Sequence, residues 1–146
     1  MNSSYKNAPD PLDVTIYLSK PRNIDDARDM LQRILPAATF EPGYIGADQT
    51  GYIVVVGSGP YARLDEVGVG IVDVLTLPRY PELPGVDDCL AAVYFRNEFF
   101  LDEPGDTSLI DDFVLPLARA LTAYTDVIVV VEPDGGYDPF IIPLAP

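Results

Sequence analysis

Three uninterrupted apolar runs, Tyr52–Val56, Cys89–Phe95 and Val127–Val131, stand out along the chain and read as strands. The first and last of them are expected to be buried, because a strand covered on both faces has no polar alternation. Val14–Leu18 alternates moderately and reads as the opening strand. Two segments instead carry apolar residues at helical spacing. In the first, Asn23 serves as N-cap, Asp25 and Asp26 occupy the first turn, and Pro36 stops the helix. Its buried face comprises Ile24, Ala27, Met30 or Leu31, and Ile34 or Leu35, and Asp29 and Arg33 are spaced to pair across one turn. In the second, Ile110, Phe113, Val114, Leu117, Leu121 and Tyr124 form one broad stripe. Ser108 is its N-cap with Asp111 as acidic partner, and Asp111 and Asp112 lie where the helix dipole favours carboxylates. Pro116 interrupts this pattern. Either the helix kinks there, or Pro116 is the first residue of a second helix. The stripe stays in phase across the proline, which favours one kinked helix.

The remaining segments are less regular. Ala37–Gly51 is rich in Gly, Pro and aromatic residues and reads as a loop. Leu64, Val67, Ile71, Val74 and Leu75 match helical spacing and favour a helix over 64–75, although Gly68, Gly70 and the β-branched residues oppose it. Pro78–Asp88 is a loop, and Glu98–Leu101 is a short strand. Pro133-Asp134-Gly135-Gly136 is a turn signal that closes a C-terminal hairpin. Pro139 and Pro143 make its last strand an edge strand. The order β-α-β-insert-β-α-β-β predicts an α+β fold, a ferredoxin-like two-layer sandwich with Gly57–Asp88 as the insert and a C-terminal edge hairpin. Residues 1–12 read as a flexible leader and 13–146 as a single domain, a size that buries a substantial core.

Charge changes the picture most. There are 9 basic and 23 acidic residues and no histidine, a formal net charge of −14. From Asn97 onward ten acids face one base, Arg119. Direct binding to nucleic acid or to anionic membranes is therefore disfavoured. No apolar run reaches the roughly 20 residues needed to span a bilayer. The N-terminal stretch has no apolar signal-peptide core, and the single Cys89 fits a reducing cytoplasm.

Candidate chemistry is sparse. Without histidine there is no Ser-His-Asp or Cys-His set. Ser58 lacks the flanking glycines of a nucleophile elbow. Gly57-Ser58-Gly59-Pro60-Tyr61-Ala62 matches G-x-G-x-x-A, but Pro60 removes a donor from the cradle, and a tight turn after a strand explains it better. The acids around Gly105 and around Gly135-Gly136 lack the spacing of a calcium loop, so no metal or cofactor is expected. Two carboxylates could also serve glycoside hydrolysis, but nothing singles out a pair. Cys89 opens an apolar strand and reads as a packed small hydrophobe.

What remains is a surface. Asp102, Glu103, Asp106, Asp111, Asp112, Asp134 and Asp138, with the aromatic anchors Phe99 and Tyr137, have the composition of an acidic rim around apolar contacts. In size and charge the chain looks like toxin-neutralising immunity proteins and nucleic-acid mimics, a likeness of type that rests on no shared motif. The expected function is non-catalytic binding of a basic protein partner. The alternative is a structural or regulatory domain that homodimerises through its sheet face.

Overall fold

The structure, a computed structural model, describes residues 11–44, 50–57, 69–73, 85–95, 110–133 and 138–144. Seven strands among them form one sheet: β1 (Pro11–Leu18), β2 (Thr39–Tyr44), β3 (Thr50–Val55), β4 (Val69–Asp73), β5 (Ala91–Phe95), β6 (Val127–Pro133) and β7 (Phe140–Ile142). Their order across the sheet is β2-β3-β4-β5-β1-β6-β7, and every neighbouring pair is antiparallel. The helices are α1 (Ile24–Ile34) and α2 (Leu115–Leu121), the latter preceded by a π-helical turn at Ile110–Val114. The fold is thus mixed α+β.

Local chemistry accounts for the helix ends. Asn23 is extended, and its side chain accepts the Asp26 N–H at 2.9 Å, which satisfies one of the free donors of α1. Ala27, Leu31 and Leu35 are buried, with Ile24, Met30 and Ile34 packed partly against the same core. Arg28, and not Arg33, makes the ion pairs of this helix, with Asp25 and Asp29. At Pro116 the chain stays helical but changes type. The π turn runs directly into α2 through Val114, whose backbone is right-handed helical, and Pro116 sits in the first turn of α2. A proline there removes a donor that the start of an α-helix leaves unpaired in any case. The helical run therefore continues past the proline, and a π turn takes the place of a kinked α-helix. Ser108 lies outside the described residues.

Several expectations are corrected. Residues 69–73, read within a helix, form strand β4. Val69 and Ile71 face one cluster of the core and Val72 the other, so burial on both sides produced apolar spacings that imitate a helix. The rest of 64–75 lies outside the described residues. Within the Ala37–Gly51 loop the chain instead forms β2 and enters β3, and Pro42 is tolerated because β2 is an edge strand. The run Tyr52–Val56 is β3, shifted by a residue or two, and it is not covered on both faces: Ile53 is 37% exposed. Nor does β3 neighbour β5, because β4, from the segment read as an insert, lies between them. β1 opens at Pro11, two residues inside the stretch read as a leader, and Glu98–Leu101 lies outside the described residues. The closing hairpin of β6 and β7 is present as expected. β7 is an edge strand three residues long, held between Pro139 and Pro143.

The core lies mainly on one sheet face. Val14, Ile16, Leu18, Val93, Phe95, Val129 and Val131 pack there with Leu31 of α1 and with Val114, Leu117 and Leu121 of the second helical run. Tyr17, Val72, Ala92 and Val130 form a smaller cluster on the other face, joined by Val86 and Cys89 from a 3-10 turn at Val86–Asp88 and the residue after it. Gly85 introduces that turn at φ +85°, a left-handed conformation that glycine adopts without strain.

Candidate functional site

Strand register identifies the two ends of the sheet. Val14 of β1 lies opposite Phe95 of β5 and Val131 of β6, while Leu18 lies opposite Ala91 and Val127. β5 therefore finishes, and β6 also finishes, at the end where β1 begins. Phe140, which opens β7, is opposite Val131 at that same end. α2 runs the other way. It is followed by Thr125 and Asp126, which are bonded to the chain just after Leu18: the Ser19 N–H donates to the Asp126 carbonyl at 3.1 Å, and the Lys20 N–H to Thr125 Oγ1 at 2.9 Å. Ile110, at the head of the helical run, is thus at the Val14 end.

The consequence concerns the acids. The chain leaves β5 at Phe95 and is next described at Ile110; it leaves β6 at Pro133 and is next described at Asp138. All four points are at one end of the sheet, and β5 and β6 are two strands apart, about 10 Å. Phe99, Asp102, Glu103, Asp106, Asp134 and Tyr137 themselves lie outside the described residues. Asp111 and Asp112 are in the π turn at this end, and Asp138 is exposed just before β7. Glu132, half-buried near the end of β6, is a further acid here. Of the positions expected to bind a partner, the described ones, Asp111, Asp112 and Asp138, lie at this end of the sheet.

The described bases lie elsewhere. Lys20, Arg22, Arg28 and Arg33 are on α1 or the turn that precedes it, and Arg119 is in the last turn of α2. Arg28 donates to the Tyr52 hydroxyl at 3.0 Å and lies over its ring, and that hydroxyl donates to Asp25 Oδ1 at 2.5 Å. The bond to Asp25 holds the Tyr52 phenol above its ordinary pKa, reinforced by partial desolvation. Arg33 covers the ring of Tyr124. Sequence spacing within α1 hinted at neither aromatic partner, because each comes from another element.

Cys89 is buried, and its thiol is pushed up to about 11, first by burial and then by the nearby Asp88 and Asp126. Such a thiol is protonated and a poor nucleophile at neutral pH. Gly57, two residues after the end of β3, has φ +74°; Ser58 and the rest of the G-x-G-x-x-A motif lie outside the described residues. Among the described residues, every buried side-chain N or O has a hydrogen-bond partner, and no three His, Cys, Asp or Glu side chains converge as a metal site would require. No helix among them is long and apolar enough to cross a membrane.

Comparisons with models of protein families, with curated proteins and with solved structures find no match for this chain.

Proposed function

We propose that this chain is a non-catalytic interaction module whose acidic sheet end binds and neutralises a basic protein, such as a nuclease-type toxin. The single observation that supports the reading is topological: Phe95 and Pro133, after which the two acidic stretches of the sequence begin, and Phe140, which follows the second, lie at one end of the sheet. The fields of neighbouring carboxylates add at short range, which favours fast, steered association with a positively charged surface. Acids spread along such an end would also suit a mimic of the phosphate backbone. The scaffold is read as a ferredoxin-like two-layer sandwich. The order β6-β1-β5-β4, with α1 and α2 as the two crossovers, supports this, with β2 and β3 extending one edge and β7 the other. A reducing cytoplasm, which keeps Cys89 as a thiol, suits the module.

Two charge-reversed variants test the reading. The chain is used to capture a partner, the partner is identified, and association rates are measured against ionic strength. Reversing Asp102, Glu103, Asp106 and Asp112 to Lys should slow association far more than reversing Asp25, Asp26 and Asp29 on α1. The parent should also lose its rate advantage as the Debye length falls to about 8 Å at physiological salt. Equal rates for the two variants would remove the acidic end from the mechanism.

A second reading, homodimerisation through the sheet, draws on one observation. On the face opposite the helices, Ile53 of β3 is exposed and Val55, Ile128 and Ile141 are half-buried. A dimer that survives high salt would favour it.

A further inference from the structure

We propose that a cleft at the end of α2 binds a small aliphatic α-amino acid as its zwitterion. The cleft has a volume of about 390 Å³ and is lined by Arg119, Thr122, Thr125, Asp126, Val127 and Leu144. That is within the range of small-ligand sites, roughly 300–1,000 Å³. Among the described residues, its walls carry one cation, one anion and two aliphatic side chains.

Among the described residues these two charges are uncommitted. Arg119 and Asp126 face the same cleft, yet they do not pair with each other, and neither side chain is in an ion pair with another described residue. Two opposite charges that share a cleft without neutralising each other match a ligand carrying both signs. A guanidinium holds a carboxylate through two parallel N–H donors, and a carboxylate accepts an ammonium. The Thr122 hydroxyl donates its proton to the Arg119 carbonyl at 2.5 Å, so its lone pairs remain to accept from the ammonium. Val127 and Leu144 supply a wall against which an aliphatic side chain loses contact with water.

The frame is rigid. The Asp126 carbonyl accepts the Ser19 N–H, and Thr125 Oγ1 accepts the Lys20 N–H while donating to the Asp126 carbonyl at 3.1 Å. The backbone beneath the carboxylate is therefore held before any ligand arrives, which lowers the entropic cost of binding. The neighbouring cleft of about 270 Å³, beside Arg33 and Tyr124, lacks this character. There Arg33 is stacked on Tyr124, Asp29 pairs with Arg28, and Asp26 accepts the Arg22 N–H.

The test uses the full chain and L-leucine, followed by amide chemical shifts. Two analogues lack one charge each: 4-methylpentanoate has no ammonium, and isopentylamine has no carboxylate. L-leucine should give saturable shifts centred on Arg119, Thr122 and Asp126, and each analogue should bind at least about tenfold more weakly. Arg119→Gln and Asp126→Asn should each cost about the same factor while leaving the melting temperature unchanged, since both side chains are exposed. Absence of saturable shifts up to about 10 mM, equal binding of an analogue, or full binding by either variant would overturn the proposal.

Discussion

The hydroxyl of Thr125 accepts the N–H of Lys20 at 2.9 Å, and through this bond the turn after β1 and the turn before β6 hold each other across 105 positions of sequence. Thr125 is only 3% exposed, so the acceptor side of this part-buried bond is shielded from solvent. Thr125→Val keeps the shape but leaves the Lys20 N–H without its acceptor, a loss of about 1–3 kcal/mol. Thr125→Ser, which retains the hydroxyl, should recover most of it. Urea unfolding of the two variants measures the difference, and equal midpoints would show that the bond contributes nothing net.

Tyr52 should titrate late. Its hydrogen bond to Asp25 favours the protonated phenol, so the folded protein's pKa stands above the ordinary value of 10.0. A raised pKa on an acidic group stabilises the fold while the phenol is protonated, and this contribution disappears as pH rises through the folded value. Ultraviolet titration of the parent should show a late component to which Tyr52 contributes, and that component should shrink by one tyrosine in Asp25→Asn. Were it to stay undiminished in that variant, the shift would have another cause.

Gly57 and Gly85, both left-handed, should not cost the same when replaced. An alanine Cβ at Gly57 meets nothing within 4 Å, so only the backbone conformation opposes it, about 1–2 kcal/mol. At Gly85 the same conformation applies and the Cβ would also stand 2.9 Å from Ile128 Cδ1. Gly85→Ala should therefore be the more destabilising, and Ile128→Val should restore part of the loss by withdrawing that methyl. Thermal melts of the single and double variants decide the matter.

Pro42 lies in β2, an outer strand of the sheet, and Glu41 beside it is exposed. A proline in an edge strand denies a donor to any incoming strand. Replacing it, as in Pro42→Val, should increase concentration-dependent association in sedimentation runs, with Glu41→Val added to strengthen the effect. A double variant that stays monomeric at every concentration would mean that the edge is guarded by something else.

Much of the helical part was legible because its signals are local. Asn23 followed by Asp25 and Asp26 announced the start of α1, since capping is a contact between residues three apart. The stripe through Ile110, Val114, Leu117 and Leu121 announced a buried helix, and the structure buries all four. Periodicity failed where both faces of a segment are covered. Val69, Ile71 and Val72 all face apolar neighbours, so nothing in their order distinguishes strand from helix. Pro42-Gly43 read as a loop because only the position of β2 at the edge makes a proline tolerable there.

By itself the sequence determined the charge, the apolar segments and the helix starts, because each depends on residues that are near neighbours in the chain. Strand order was decided only in three dimensions. Apolar runs of similar composition can pair in many orders, and the choice rests on how the helices and the paired strands bury them together. For the same reason the cluster of Arg28, Asp25 and Tyr52 could not be read from the chain. Nor could the common end from which the two acidic stretches leave the sheet: it exists because β1 lies between β5 and β6.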